Sequence, residues 1–397
     1  MKRISTIAFL ILFAITFQHC SKKEDSVNNT TIKYVAIKAV FGTNIDLDNL
    51  ENYESQTQPA YITRDNTAGN PILNAKATIG RVLFYDKNLS IDNTIACASC
   101  HRQEFAFSDT ALASSGVSGG VTARHSMRLV NARFSREAKF FWDERAATLE
   151  NQTTRPIQDH AEMGYSGIDS RPNLSSLLTK LQTIGYYNEL FTFAYGTTEI
   201  TEAKLQECLS QFIRSIQSFD SRYDLGRAQV ANDNQPFPNF TAQENQGKNL
   251  FIAPPVFDAN GSRTAGGLGC NGCHNAPEFD IDPNSRNNGI IGILNGSGID
   301  VTITRAPTLR DLVRLNGEPN GPMMHTGVLK TLQQAIGHYG AINRAPGNIN
   351  LDPRLTPGGN PQRLNLTATE VNAVIAFIKT LTGNNVYTDK KWADPFI

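Results

Sequence analysis

The sequence predicts an all-α protein with much irregular chain. Apolar residues recur at helical spacing in two long runs, Leu205 to Phe219 and Val371 to Leu381. Capping boxes, with Thr at the N-cap and Glu three residues later, stand at Thr241–Glu244 and Thr367–Glu370. Long stretches rich in Gly, Pro and Asn, such as 253 to 300, separate the helices. Loops of this length are unusual in a compact domain and are typical of chain that wraps around a bound group.

Two short strings indicate what that group is. They are Cys97-Ala98-Ser99-Cys100-His101 and Cys270-Asn271-Gly272-Cys273-His274. In a C-x-x-C-H site both thiols form thioether bonds to haem, and the imidazole becomes an iron ligand. The alternatives are one zinc ion held by both cysteine pairs, or thiol redox chemistry at a single pair. Neither explains a His after each pair, so the sequence predicts two covalently bound c-type haems.

A repeated phrase divides the chain into two parts. Gly80-Arg81-Val82-Leu83-Phe84 stands before the first haem site, and Gly247-Lys248-Asn249-Leu250-Phe251 stands before the second. The shared pattern predicts the end of a helix that packs on haem. We therefore expect two c-type-cytochrome-like haem domains with long irregular loops, over residues 71–235 and 236–397. A polar tether and lead-in over residues 21–70 precedes them.

The first twenty residues have the features of a lipoprotein signal peptide. Two basic residues precede an apolar run from Ile7 to Phe17, which is too short to span a membrane. The segment ends at Cys20, so cleavage before Cys20 and lipidation of its thiol is the sharper prediction, with plain secretion as the alternative. Ser21 favours the outer membrane over the inner one. The expected location is the periplasm or the cell surface, with membrane contact only through this anchor.

Charge and the remaining cysteine add little chemistry. Lys plus Arg and Asp plus Glu number 37 each, so the overall charge does not indicate nucleic-acid binding. Cys208 is the cysteine left after the lipid site and the four haem thiols. It lies on the apolar face of its helical run, which predicts a buried, inert core residue.

Several phrases around the two haem sites occur in an order that chance does not readily produce. They are Phe141-Trp142-Asp143-Glu144-Arg145, Leu149-Glu150-Asn151-Gln152, Glu162-Met163-Gly164, Pro307-Thr308-Leu309-Arg310 and Met324-His325-Thr326-Gly327. With them, the chain from about residue 71 to 390 resembles the bacterial di-haem cytochrome c peroxidase and MauG family. The resemblance implies that the haem held by His101 reacts with peroxide. The haem held by His274 would pass electrons to it.

The resemblance also implies roles for residues near the first haem. Trp142 matches the tryptophan between the two haems, and Glu162 matches the distal glutamate that moves a proton during O–O cleavage. Gln152 and Pro156 match positions of the distal pocket. Without the resemblance, Trp142 would be interpreted as core packing and Glu162 as a surface charge or helix cap.

A first departure from the family concerns the distal side of the first haem. The common peroxidases carry a His there that binds iron in the resting state, and the matching residue is Val117. A valine cannot bind iron, so we expect an open, five-coordinate or water-bound haem that is active without prior reduction. His125 or His160 is the alternative ligand.

A second departure concerns the distal ligand of the second haem. Tyr339 occupies the position of the family's axial Met, as a tyrosine does in MauG. An anionic phenolate favours ferric iron and lowers the reduction potential relative to a thioether ligand. His338, Met323 and Met324 are the alternatives.

Calcium is usual between the two domains of the family. The matching positions are Asn320 and Pro322, with His125 in place of a side-chain oxygen ligand. Imidazole is a poor ligand for calcium, so the sequence predicts either one bound calcium ion or none.

The sequence therefore predicts an enzyme, a lipid-anchored di-haem peroxidase. It would reduce hydrogen peroxide to water with electrons from a small cytochrome c or another one-electron donor. The first alternative is MauG-like oxidation of a protein or other large substrate. The second is a non-catalytic electron carrier, which would need protein ligands on both faces of each haem. The sequence does not decide between a monomer and a homodimer.

Overall fold

The computed structural model describes residues 33–136, 139–281, 285–294 and 296–397. The predicted signal peptide, Cys20 and the first part of the predicted tether lie outside the described residues. In the described part of the chain, every helix is too short or too polar to cross a bilayer.

The described chain is rich in helix. Its α-helices are α1 Val35–Phe41, α2 Asn74–Tyr85, α3 Cys97–Cys100, α4 Leu149–Thr153, α5 Arg155–Gln158, α6 Leu174–Gln182, α7 Gly185–Tyr195, α8 Glu202–Ser215, α9 Arg222–Arg227, α10 Ala242–Ile252, α11 Leu332–Gly340, α12 Ala368–Lys379 and α13 Asn385–Thr388. The sequence predicts an all-α protein, and the described chain is helix-rich with four short strands.

Two small antiparallel ribbons, which the sequence did not predict, accompany the helices. Strands β1 (Pro255–Phe257) and β2 (Arg263–Gly266) form one, and β3 (His274–Asn275) and β4 (Asp280–Ile281) form the other. Strands of two to four residues are too short to show an alternating pattern, which is why the sequence did not predict them.

Helix boundaries follow the predicted caps at their starts. Glu244 N–H donates to Thr241 Oγ1 at 3.2 Å and the Glu244 carboxylate accepts from Thr241 N–H at 2.8 Å. Thr367 and Glu370 form the same box at the start of α12. The run that continues apolar to Phe219 ends as helix at Ser215, because Ile216 is extended and its carbonyl accepts from Asn131 N–H.

Both repeated phrases lie at the ends of helices, as predicted, and their glycines allow close helix crossings. A Cβ at Gly80 of α2 would lie 2.0 Å from the carbonyl oxygen of Cys208 in α8. A Cβ at Gly247 of α10 would lie 1.9 Å from the carbonyl oxygen of Ala373 in α12. At both crossings the helix backbones therefore touch directly.

The apolar core has two main clusters. One is built mainly from residues 37–216 and includes Cys208, which is fully buried as predicted. The other is built from residues between 223 and 381. The C-terminal segment returns to the first cluster, where Val386 and Trp392 are buried.

The lead-in differs from the predicted polar tether from Tyr34 onwards. Ile37 and Phe41 of α1 are buried in the first cluster, and the fully buried Tyr53 donates its hydroxyl proton to the carbonyl of Lys391 at 2.7 Å. Sparse apolar residues in a polar stretch conceal this role. The described part of the lead-in is thus part of the folded body.

The helix crossings generate a testable prediction. Gly80→Ala or Gly247→Ala inserts a methyl group where a backbone carbonyl already lies, and each should lower the free energy of unfolding by about 1–3 kcal/mol. Denaturant unfolding of the haem-loaded protein measures this. Gly337→Ala in α11 is the matched control, since its Cβ meets open space. It should leave stability unchanged or raise it by about 0.4–1 kcal/mol. Equal free energies of unfolding for all three variants would contradict the close backbone contact of the helices at Gly80 and Gly247.

Candidate functional site

The first C-x-x-C-H site is formed by one helical turn and the residue after it. Helix α3 carries Cys97 and Cys100, and His101 follows directly. His101 Nδ1 lies 3.2 Å from the carbonyl oxygen of Phe107, whose backbone is in the left-handed region. A proton on Nδ1 is thereby held by the backbone, which leaves Nε2 for a metal.

The second site repeats this arrangement on a different local fold. Cys270 and Cys273 lie in and next to a short 3-10 turn, and His274 begins β3. His274 Nδ1 lies 3.1 Å from the carbonyl oxygen of Pro307 and 3.3 Å from that of Phe279, which is again left-handed. Both imidazoles are therefore oriented by backbone carbonyls.

The donor chemistry of both sites fits covalently attached haem better than zinc or thiol redox chemistry. Burial raises the pKa of the Cys97 and Cys270 thiols to about 12. Buried, protonated thiols of this kind do not suit thiol redox chemistry, which requires a thiolate. Within the described ranges, no three His, Cys, Asp or Glu side chains lie close enough together to hold a metal ion.

A cavity, here called the inner cavity, begins at the first site. Its lining brings Cys97, Cys100 and His101 together with Trp142, Gln152, Pro156 and Glu162, and it reaches Arg305, Pro307 and Thr308. The three residues predicted to be catalytic thus lie on one cavity with the first haem site. Its far wall includes Pro307, whose carbonyl holds His274.

Glu162 has a strongly perturbed carboxyl group. Burial, with a further contribution from the negative charge of Asp159, raises its pKa to about 7 against the opposing effect of the Arg145 guanidinium. Asp159 also accepts hydrogen bonds from the N–H groups of Ala161 and Glu162 at 2.8 and 3.1 Å. A carboxyl group with this pKa exchanges protons readily near neutral pH.

The loop that carries Val117 holds the backbone of Glu162. Val117 N–H donates to the Glu162 carbonyl at 3.0 Å. A Cβ at Gly116 would lie 1.9 Å from the carbonyl oxygen of Ala161, so this loop and the Glu162 turn touch backbone to backbone. Val117 itself is buried and does not line the inner cavity.

The two histidines considered as alternative ligands differ in position. His125 lines the inner cavity, where burial lowers its pKa to about 4 and its Nδ1 lies 2.9 Å from the carbonyl of Ala111. His160 Nδ1 contacts the Ser166 hydroxyl at 3.0 Å, outside the inner cavity. Of the two, only His125 faces the space in which haem would lie.

Trp142 connects the inner cavity with the C-terminal half of the chain. Its Nε1–H donates to the carbonyl of His125 at 2.7 Å, and its own carbonyl accepts from Arg305 N–H at 2.7 Å. Its ring centroid lies 6.3 Å from that of the buried His325. These contacts hold the indole in one orientation on the wall of the cavity.

Tyr339 lies at the second haem site. Burial raises the pKa of its phenol, and the nearby Cys273 and Cys270 thiols raise it further. The Asn288 amide lies 3.4 Å from the Tyr339 hydroxyl and 3.3 Å from the Met324 sulfur.

Two of the alternative ligands for this site have other contacts. His338 Nε2 lies 2.9 Å from the carbonyl oxygen of Asn288. Met323 is buried in the second apolar cluster. Tyr339 and Met324 therefore share one polar neighbour, while His338 and Met323 are engaged elsewhere.

The residues matched to a calcium site lie together. Asn320 is fully buried, and its amide donates at 2.7 Å both to the Asp311 carbonyl and to the Tyr387 hydroxyl. Its Oδ1 has no hydrogen-bond partner. His125 Nε2 faces Gly321, the residue between Asn320 and Pro322. One oxygen donor is free, and calcium remains a prediction.

The sequence did not predict that Arg145 and Asp159 control the charge of Glu162. Arg145 stands in the quoted phrase Phe141–Arg145, which was the available signal. Its distance from Glu162 along the chain concealed this electrostatic influence, because only the fold places both side chains on one cavity.

Comparisons with known proteins agree with this geometry. The sequence model of the family described as di-haem cytochrome c peroxidase matches residues 74–232. The methylamine utilization protein MauG of Methylophilus methylotrophus is 28% identical over 326 residues, which cover 79% of this chain and 84% of that protein. The cytochrome c551 peroxidase of Nitrosomonas europaea is 26% identical and covers 78% and 80%.

A solved structure extends the similarity to the fold. The crystal structure of a MauG-like protein associated with microbial copper homeostasis matches with a TM-score of 0.67 and 26% identity. The match covers 86% of this chain and 99% of that one. Phrases, geometry and relatives agree: the chain is similar, over most of its length, to di-haem cytochrome c peroxidases and MauG proteins, a family of oxidoreductases that implies two c-type haems.

Proposed function

We propose that this protein reduces hydrogen peroxide to water with electrons from a small cytochrome c or a similar one-electron donor. The observation that carries the proposal is the inner cavity. It joins the Cys97, Cys100 and His101 site to Glu162, a carboxyl group whose pKa is about 7. The matched family supports the same reaction class.

The chain's own residues divide the work. Haem held at the two sites would supply the iron redox chemistry that splits the O–O bond and stores electrons. The backbone carbonyls of Phe107 and Pro307 orient His101 and His274. Glu162 would take a proton from one peroxide oxygen and deliver it to the other, which leaves as water.

Gln152 and Trp142 complete the proposed site. The Gln152 amide lines the inner cavity and would hold peroxide by a hydrogen bond. Trp142 lies on the same wall and contacts Arg305 of the C-terminal half, which suits a residue on the route of electrons between the haems.

We propose that the two halves are c-type-cytochrome-like haem domains, 71–235 and 236–397. The support is the repetition of two features in each half. One is a helix crossing through a glycine, and the other is a His held by the carbonyl of a left-handed Phe. In this proposal the N-terminal domain reacts with peroxide and the C-terminal domain transfers electrons.

Tyr339 is the proposed distal ligand of the second haem. Its phenol lies beside the thiols of Cys270 and Cys273, while His338 contacts a backbone carbonyl. A phenolate ligand would lower the reduction potential of this haem and favour its oxidised states.

Cell location and assembly follow from the sequence. The lipoprotein-like signal and Cys20 support an outer-membrane anchor facing the periplasm or the cell surface.

Calcium at Asn320 and Pro322 is supported by one free carboxamide oxygen, with His125 nearby. A homodimer is compatible with this proposal and is not required by it.

Oxidation of a protein or other large substrate, as in MauG, is the second candidate function. Tyr339 and Val117 favour it, because both depart from the common peroxidases in the direction of MauG or of an open haem. A pure electron carrier fits less well, because it needs a protein ligand at the inner cavity. His125, the alternative ligand there, has its Nδ1 at the Ala111 carbonyl and its Nε2 facing Gly321.

The decisive experiment mixes the protein, fully ferric as isolated, with peroxide and a reduced small cytochrome c. Rapid oxidation of the cytochrome without prior reduction of the protein is expected, because Val117 cannot block the first haem. A long-lived oxidised protein without cytochrome oxidation would instead favour the MauG-like reaction. No reaction would contradict both.

Glu162→Gln tests the proton carrier. The peroxide reaction should slow on the order of 100- to 10,000-fold, while both haem spectra stay unchanged. The group must be ionised to accept a proton, so wild-type turnover should rise with pH through about 7. The variant should lose this limb of the profile.

Besides Asp159 and Arg145, which act on the pKa of Glu162, the charged side chains that line the inner cavity are Arg124, Arg128, Asp280 and Arg305. Arg155 and Glu202 line a neighbouring space that Glu162 also lines. Glu318→Gln, an exposed carboxyl far along the chain, is the control and should behave as wild type. Retention of the pH limb in Glu162→Gln would rule out the assignment.

Tyr339→Phe tests the ligand of the second haem. Only the haem held by His274 should change its absorption spectrum, and its reduction potential should rise because an anionic donor is lost. Spectroelectrochemistry of both haems measures this. His338→Ala should leave the potential unchanged, and the reverse pattern would identify His338 as the ligand.

A further inference from the structure

A second space, here called the outer cavity, adjoins the inner one. It has a volume of about 620 Å³. The two cavities share four lining residues, which are Phe141, Arg145, Pro156 and Glu162. These four residues, here called the ring, lie at the boundary of the two cavities, and Glu162 lines both.

The outer cavity has a prearranged polar wall made by α5 and the start of α8. The Thr154 hydroxyl donates to Glu202 Oε1 at 2.8 Å, and the Gln206 amide donates to the Thr154 hydroxyl at 2.9 Å. The Gln158 amide donates to the same Glu202 oxygen at 3.3 Å. Such a wall favours small molecules that donate and accept hydrogen bonds over apolar ones.

Two of the four ring residues form a stacked pair. The Arg145 guanidinium carbon lies 3.6 Å from the centroid of the Phe141 ring, and Arg145 Nη1 donates to the Asp143 carboxylate at 2.7 Å. A tight turn presents both side chains, since Phe140 and Ala146 exchange backbone hydrogen bonds at 2.9 and 3.3 Å. The Arg145 side chain is 45% exposed, so it lies where solvent meets the ring.

The carboxyl groups that line the outer cavity differ in whether they also line the inner one. Asp159 and Glu202 line only the outer cavity, whereas Glu162 also lines the inner one with His101. A molecule that enters through the outer cavity therefore meets Glu162 before it reaches the first haem site.

We propose that the outer cavity is the entrance for peroxide, and that the Phe141–Arg145 pair restricts it to hydrogen peroxide and equally small hydrophilic molecules. This inference rests on the proposed function and names its substrate class. Arg145 determines specificity here by its size at the ring. Its charge acts separately, on Glu162.

The test compares hydrogen peroxide with the bulkier tert-butyl hydroperoxide. Each is mixed with ferric, haem-loaded protein, and the second-order rate constant is taken from the haem absorption change by stopped flow. No electron donor is needed, so the result does not depend on the physiological partner. Wild type should react much faster with hydrogen peroxide.

Two variants separate size from charge. Arg145→Ala removes the stacked group, and the rate with tert-butyl hydroperoxide relative to hydrogen peroxide should rise by about tenfold or more. Arg145→Gln keeps most of the bulk without the charge and should leave that ratio near the wild-type value. The pH midpoint of the reaction should rise in both, because a cation that lowers the pKa of Glu162 is lost.

Arg222→Ala is the matched control. Arg222 also stacks on a Phe ring, at 5.8 Å, pairs with a carboxylate and is 51% exposed, but it lines neither cavity. It should reproduce wild type for both peroxides.

A second readout does not involve turnover. Binding of cyanide and of imidazole to the ferric protein is followed by absorption, and Arg145→Ala should speed imidazole association selectively. Phe141→Leu should have the same effect and replaces Arg145→Ala if thermal unfolding shows that variant to be misfolded.

The outcomes are distinguishable. Absence of any wild-type reaction with hydrogen peroxide would overturn the proposed function. A wild-type reaction with hydrogen peroxide, combined with unchanged selectivity in Arg145→Ala and Phe141→Leu, would overturn the entrance alone. Equal wild-type rates for the two peroxides would also overturn it.

Discussion

At the crossing of α2 and α8, Gly80 lies against the backbone carbonyl of Cys208, and no larger residue fits without displacing a helix. Such contact brings the side chains at the ends of both helices to one place. Phe84 of α2 and Leu209 and Ile213 of α8 line the inner cavity beside Cys97, Cys100 and His101. The inner cavity at the first C-x-x-C-H site, which Glu162 also lines, therefore depends on the close crossing of α2 and α8. Gly247 makes the equivalent crossing in the second half.

The chemistry of the inner cavity depends on a balance at one carboxyl group. Burial alone would hold Glu162 in its neutral form, and Asp159 adds to that tendency. Arg145 opposes both and keeps the pKa near neutrality, where a group can accept and release a proton with similar ease. The Val117 loop fixes the backbone of Glu162, so the carboxyl group is set by geometry as well as by charge.

Relatives of this chain include both cytochrome c peroxidases and MauG. The structure has features that suit each of the two candidate functions. A Glu beside the first site is what peroxide cleavage requires. We propose that Tyr339 beside the second site and Val117, which matches the usual His position, favour the MauG-like oxidation of larger molecules. The Phe141–Arg145 pair bears on the choice between these two functions. In our proposal the entrance that it restricts admits peroxide to Glu162 and keeps large substrates outside. Oxidation of a large substrate would then have to proceed by electron transfer through the protein.

Residue type and spacing alone determined the helix caps at Thr241 and Thr367 and the buried state of Cys208, and they predicted the two haem attachment sites, because each depends on neighbours in the chain. The family phrases also identified Glu162, Trp142 and Gln152 before their meeting on one cavity was visible. Only the tertiary structure decided the electrostatic influence of Arg145 and Asp159 on Glu162, the outer cavity, the folding of the lead-in from Tyr34 and the two short ribbons. These features come from turns and crossings that join distant segments, and a periodic pattern carries no record of such contacts. Burial and charge at a site are sums over those neighbours, so the raised pKa of Glu162 arises only in the folded chain.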